Sequence, residues 1–86
     1  MIYCVEDDAS IREIELYTLR SMGFEAGGFE DGNAFLAALK AQSPELVILD
    51  IMLPGLDGIE LLRRMKAAPD WSDIPVIMAT AKGAEY

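Results

Sequence analysis

Residues 46–58 read LVILDIMLPGLDG. Leu46, Val47, Ile48 and Leu49 are apolar at consecutive positions and run straight into Asp50. A run without alternation suits a strand buried on both faces, as in a parallel sheet covered by helices. Pro54 and Gly55 then set a turn, and Asp57-Gly58 starts a helix. Asp50 therefore falls at the C-terminal end of a buried strand, where open α/β sheets place their ligand sites. The plainer reading is an Asp that only opens the turn.

A second acidic stretch weighs against the plainer reading. Met1 to Val5 (MIYCV) is another short apolar run, and it ends in Glu6-Asp7-Asp8. Side by side in a parallel sheet, the ends of the two runs lie about 5 Å apart. Glu6, Asp7 and Asp50 then share one crevice, where each raises the pKa of the others unless a cation intervenes. A hard divalent ion resolves the conflict, and Mg²⁺ suits a site with few carboxylates and open water positions. Asp8 is left to cap the following helix. Ile74 to Ala79 (IPVIMA) is a third such run, and Thr80 follows it.

These motifs resemble the receiver domain of two-component response regulators. The resemblance rests on Glu6-Asp7 after the first strand, Asp50 within LDIMLPGLDG after the third, and Thr80 within ATAKG after the fourth. It implies that Asp50 is the phosphoacceptor in a phosphorelay. It also implies direct Mg²⁺ ligation by Asp7, Asp50 and the backbone carbonyl of Met52, with Glu6 acting through water. Thr80 would hydrogen-bond a phosphoryl oxygen. The implied donor is a phosphohistidine on a sensor histidine kinase, and the chain itself would not be an enzyme.

The expected fold is α/β: a flavodoxin-like parallel sheet with flanking helices in one domain over residues 1–86. The family pattern has five strands and five helices, so the expectation is a receiver lacking the fifth strand and fifth helix. The family Lys that follows the fifth strand has no counterpart, since Lys82 lies only two positions past Thr80. Phosphorylation is then expected to be impaired. Ile74 to Ala79 would form an apolar sheet edge, and such edges recruit other strands. The expectation is a homodimer, and the alternative function is a non-signalling fragment that folds only as an oligomer.

The remaining segments alternate between helix and strand. Ala9 to Met22 has helical spacing, with Ile11, Ile14, Thr18 and Met22 on one face and Leu16 and Leu19 falling away from it. Gly23 ends that helix. Phe24 to Phe29 is a weak edge strand, softened by Gly27-Gly28. Asp31 caps a helix through about Ala41 that carries Phe35, Leu36 and Leu39, and Ser43-Pro44 breaks it. The helix after Asp57 has Ile59, Leu62 and Met65 on its apolar face, with Leu61 beside them, and Pro69 ends it. Right-handed crossovers make the strands parallel, and in the flavodoxin-like order 2-1-3-4-5 the first and third strands flank the switch point.

Composition sets limits on function. The 86 residues carry a net charge of −8 and no His, which disfavours a nucleic-acid surface or an anionic membrane surface. No apolar run approaches the roughly 18 residues of a membrane span. Cys4, the single cysteine, permits no intrachain disulfide and fits the cytoplasm. A phosphohydrolase of the haloacid dehalogenase type needs a second Asp two positions after the first, where this chain has Met52. A flavodoxin-type flavin carrier needs a phosphate cradle, which Glu6-Asp7-Asp8 would repel.

Overall fold

The computed structural model describes residues 1–53 and 57–79. Pro54, Gly55, Thr80 and Lys82, all singled out in the sequence, lie outside the described residues. Among the described residues, four strands, β1 (Ile2–Val5), β2 (Ala26–Phe29), β3 (Leu46–Asp50) and β4 (Val76–Ala79), alternate with three helices, α1 (Ala9–Ser21), α2 (Gly32–Ala41) and α3 (Gly58–Ala67). The strands form one parallel sheet in the order β2-β1-β3-β4. This is the expected flavodoxin-like arrangement. β2 and β4 are shorter than the apolar runs that signalled them, because Phe24 and Pro75 precede the ladder.

Each helix starts on an Asp that follows a strand or turn. Asp8, Asp31 and Asp57 accept the N–H groups of Ile11, Ala34 and Glu60 at 3.1, 2.8 and 2.8 Å. Each thereby satisfies a donor that has no partner within the helix. Gly23, with φ +95°, terminates α1 in the left-handed region that glycine enters without steric cost.

The sheet's two faces are covered unequally. On one face, Tyr3, Val5, Val47 and Leu49 pack against Phe35 and Leu39 of α2 and Leu61 and Met65 of α3. Tyr3 is locked there by an edge-on contact with Phe29 and by its hydroxyl, which donates to the Gln42 carbonyl at 3.0 Å. On the other face α1 lies over β1 and β2, and burial falls off toward β4. Cys4 is fully buried, Ile48 is half-buried and Ile77 is 52% exposed.

Two helix faces differ from the sequence expectation. In α1, Ile14 and Met22 are 65% and 67% exposed, and Thr18 is exposed too. The half-buried stripe is Ile11, Arg12, Glu15, Leu16 and Leu19. Leu16 approaches the sheet at Gly28, where a Cβ would lie 2.9 Å from its Cδ1. Hydrophobicity misassigned the face because the apolar residues of α1 lie on both sides of the helix and β2 offers a glycine groove to only one. In α3 the buried pair is Leu61 and Met65, while Ile59 is 56% exposed.

Gly58 closes the β3–α3 connection. Its N–H donates to the Ile51 carbonyl at 3.1 Å, and a Cβ would meet the Asp50 carbonyl oxygen at 2.2 Å. Gly58→Ala is expected to lower stability by about 1–3 kcal/mol, the usual cost of overpacking, more than Ala gains over Gly in a helix. Gly27→Ala meets only ordinary contacts beyond 3.6 Å and serves as the control, with a change within about 0.5 kcal/mol. Urea denaturation of both variants checks the contrast.

Candidate functional site

The β1–β3 register decides the site. Val5 pairs with Leu49, so the next residues, Glu6 and Asp50, emerge together at the C-terminal edge of the sheet. Parallel strands make that edge common to both. One carboxylate oxygen from each of Glu6, Asp7 and Asp50 lies within 4.8 Å of the others. Glu6 and Asp50 are 2% and 3% exposed, and Asp7 is the most open of the three.

Glu6 is held from several sides. Its N–H donates to the Phe29 carbonyl at 3.0 Å, and its Oε2 accepts the Asp8 N–H at 3.0 Å. Arg12 Nη1 donates to the Glu6 carbonyl at 2.7 Å. Asp50 Oδ1 accepts the Met52 N–H at 3.1 Å, while Asp50 Oδ2 is buried with no hydrogen-bond partner among the described residues. A buried carboxylate oxygen without a partner is costly, and a bound cation removes that cost. The donor set is all oxygen and all acidic, which suits a hard divalent ion.

Burial pushes the Glu6 carboxyl up to about 7, and the hydrogen bond to the Asp7 side chain and the charges of Asp50 and Asp7 add to the rise; the Asp8 N–H opposes it. The Cys4 thiol is pushed up to about 11, mainly by burial and then by Glu15. A thiol with so little thiolate is a packing residue rather than a nucleophile.

The structure therefore brings Glu6, Asp7 and Asp50 together, with Met52 two positions past Asp50 and Thr80 outside the described residues. Two neighbours were missed in the sequence. Arg12 fixes the Glu6 backbone, and nothing in its sequence context marked it. Glu15 lies on the stripe of Ile11 and Leu19, and a carboxylate at that spacing was the available signal.

Comparison with known proteins decides the family. The response regulator receiver domain model matches residues 2–86. The chain belongs to this family. Among curated relatives, the transcriptional regulatory protein FixJ of Bradyrhizobium diazoefficiens is 45% identical over 95% of this chain and 39% of its own length. The DNA-binding response regulator MtrA of Mycobacterium tuberculosis is 42% identical over 94% of this chain and 34% of its own. The chain thus spans less than half of these curated relatives. Among solved structures, the N-terminal domain of a response regulator receiver protein from Methanoculleus marisnigri superposes with a TM-score of 0.90 at 39% identity. That match covers 98% of this chain and 68% of the other. The receiver domain of NtrX from Brucella abortus gives 0.84 at 36% identity, over 91% and 65% of the two chains. Receiver domains are phosphoacceptors of two-component systems, and the acidic crevice is of the kind that holds Mg²⁺ in them. No helix among the described residues is long and apolar enough to cross a membrane.

A pH dependence follows for the metal-free protein. Glu6 holds its proton more tightly folded than unfolded, so the native state binds more protons. Stability then falls as pH rises from about 4.5 to about 7 and levels off above that. Glu15, also raised mainly by burial, contributes in the same sense. In chelator, Glu6→Gln is expected to flatten most of this slope in denaturation midpoints measured across pH 4.5–8. An unchanged slope would contradict the reading of Glu6.

Proposed function

We propose that residues 1–86 act as a receiver unit in which Asp50 accepts a phosphoryl group from a phosphohistidine of a sensor histidine kinase, in the cytoplasm. The supporting observation is the convergence of Glu6, Asp7 and Asp50, with Asp50 Oδ2 buried and unpartnered among the described residues. Oδ1 is engaged by the Met52 N–H, which leaves Oδ2 as the attacking atom. Attack forms the O–P bond of an aspartyl phosphate while the P–N bond to the kinase imidazole breaks. Phosphoryl transfer depends mainly on positioning and charge neutralisation. In this reading Asp7, Asp50 and the Met52 carbonyl would hold Mg²⁺, with Glu6 acting through water, and the ion would offset the repulsion between the acids and the incoming phosphoryl group. Thr80 would hydrogen-bond the transferred group. The acids carry no chemistry for contacting nucleic acid.

Mg²⁺ should raise thermal stability by mass action, about 2.7 kcal/mol at a hundredfold excess over Kd. Asp7→Asn and Asp50→Asn should each remove most of that effect. Acetyl phosphate with Mg²⁺ should add one phosphoryl group by intact mass, and Asp50→Asn should abolish it. Persistence of the modification in Asp50→Asn would refute the assignment.

A second reading, a receiver unit stable only as a homodimer, is favoured by Ile77, exposed on a strand that pairs only with β3 among the described residues. Light scattering at micromolar concentration should then report a dimer, and Ile77→Lys should shift it to monomer. A monodisperse wild-type monomer would exclude this reading.

A further inference from the structure

Of the seven large apolar side chains exposed among the described residues, four lie on α1 or just after it: Ile14, Tyr17, Met22 and Phe24. Association at this helix would therefore remove apolar area from water. Along it runs an open, mainly apolar groove of about 390 Å³, lined by Glu13, Leu16, Tyr17, Arg20 and Ser21. None of these residues belongs to the acidic crevice or to β4. Glu13, Leu16, Tyr17 and Arg20 stand at i, i+3, i+4 and i+7 and so form one stripe. The stripe reads acid, apolar, apolar, base. Glu13 forms no ion pair among the described residues. Arg20 is anchored at the other end, where Nη2 donates to the Ala26 carbonyl at 2.8 Å, and its guanidinium keeps further donors. α1 is also neutral, with Arg12 and Arg20 against Glu13 and Glu15, in a chain of net charge −8. Two copies that repel each other elsewhere meet no net repulsion here.

The order of the stripe is complementary to its own reverse. Turned about a two-fold axis between Leu16 and Tyr17, one protomer sets Glu13 opposite Arg20 of a second copy and Leu16 opposite Tyr17. A parallel pair would instead oppose acid to acid and base to base. We propose that the Glu13–Leu16–Tyr17–Arg20 stripe of α1 is an interface between two copies of this chain, packed antiparallel with closed two-fold symmetry. The contact is separate from the β4 edge and forms whether or not that edge pairs. A single helix face buries less than the roughly 1,200 Å² at which stable interfaces begin, so the dimer is weak, with a Kd on the order of 100 μM.

The test is sedimentation equilibrium of the whole chain from about 10 to about 500 μM. Association is read relative to the species present at micromolar concentration, so pairing at β4, present or absent, does not enter. Wild type is expected to associate over this range. Glu13→Lys sets two cations together at both ends of the stripe pair and is expected to weaken association about tenfold. The same substitution brings the chain closer to neutrality, so a nonspecific charge effect would strengthen association instead. Glu30→Lys, at an exposed position away from α1, makes the same charge change and is expected not to weaken it. Arg20→Glu opposes two acids and is expected to act like Glu13→Lys. Mixing these two variants restores opposite charges at both ends and is expected to recover wild-type association. Because Arg20→Glu also gives up the Ala26 contact, circular dichroism checks its fold, and Tyr17→Asp, at a side chain 75% exposed, is the independent variant expected to abolish association. Unchanged or tighter association in Glu13→Lys or Tyr17→Asp overturns the inference, as does failure of the mixture when both variants are folded. A wild type that does not associate up to the highest concentration also overturns it, and the groove then belongs to a partner of different sequence.

Discussion

The parallel pairing of β1 with β3 is the constraint on which the rest of the molecule depends. Setting Val5 opposite Leu49 forces Glu6 and Asp50 out at the same edge, and Asp7 completes the group. Three carboxylate oxygens within 4.8 Å are mutually repulsive, and two of the residues are nearly cut off from water. Such an arrangement persists only because the backbone holds it. The sheet ladder, the Arg12 contact to the Glu6 carbonyl and the Gly58 contact to the Ile51 carbonyl all act on backbone groups next to the acids. The fold thus pays locally for a site whose electrostatics favour a cation.

The same edge organises the helices. The caps Asp8 and Asp57 follow the two acidic strand ends, so α1 and α3 both start beside the crevice. Their N-terminal dipoles point toward it and moderate the negative charge there. Sheet burial is uneven across the molecule. The α2 and α3 face holds the aromatic and aliphatic core, whereas the α1 face contains Cys4, the Gly28 groove and the carboxylate of Glu15.

Much of this was legible in the chain itself. Apolar runs ending in Glu6, in Asp50 and before Thr80 marked the strands, and Asp8, Asp31 and Asp57 marked the helix starts. The alternation of strand and helix, with right-handed crossovers, fixed the parallel order and so the meeting of Glu6, Asp7 and Asp50. These features depend on local chemistry or on a topological rule with few exceptions, which is why sequence suffices for them.

Tertiary structure alone decided the rest. The buried side of α1 depended on which residues found room over Gly28, so Leu16 and Leu19 turned inward while Ile14 and Met22 stayed in water. In α3, Leu61 rather than Ile59 reached the core, and the helix starts at Gly58, tight against the Asp50 backbone. The isolation of Glu15 Oε1 and Asp50 Oδ2 likewise depends on what packs around them. Sequence determined which groups share an edge, through periodicity and chain direction. Packing determined which way each helix turns and which polar atoms lose water, because those outcomes depend on the shape of a neighbouring surface that no single segment encodes.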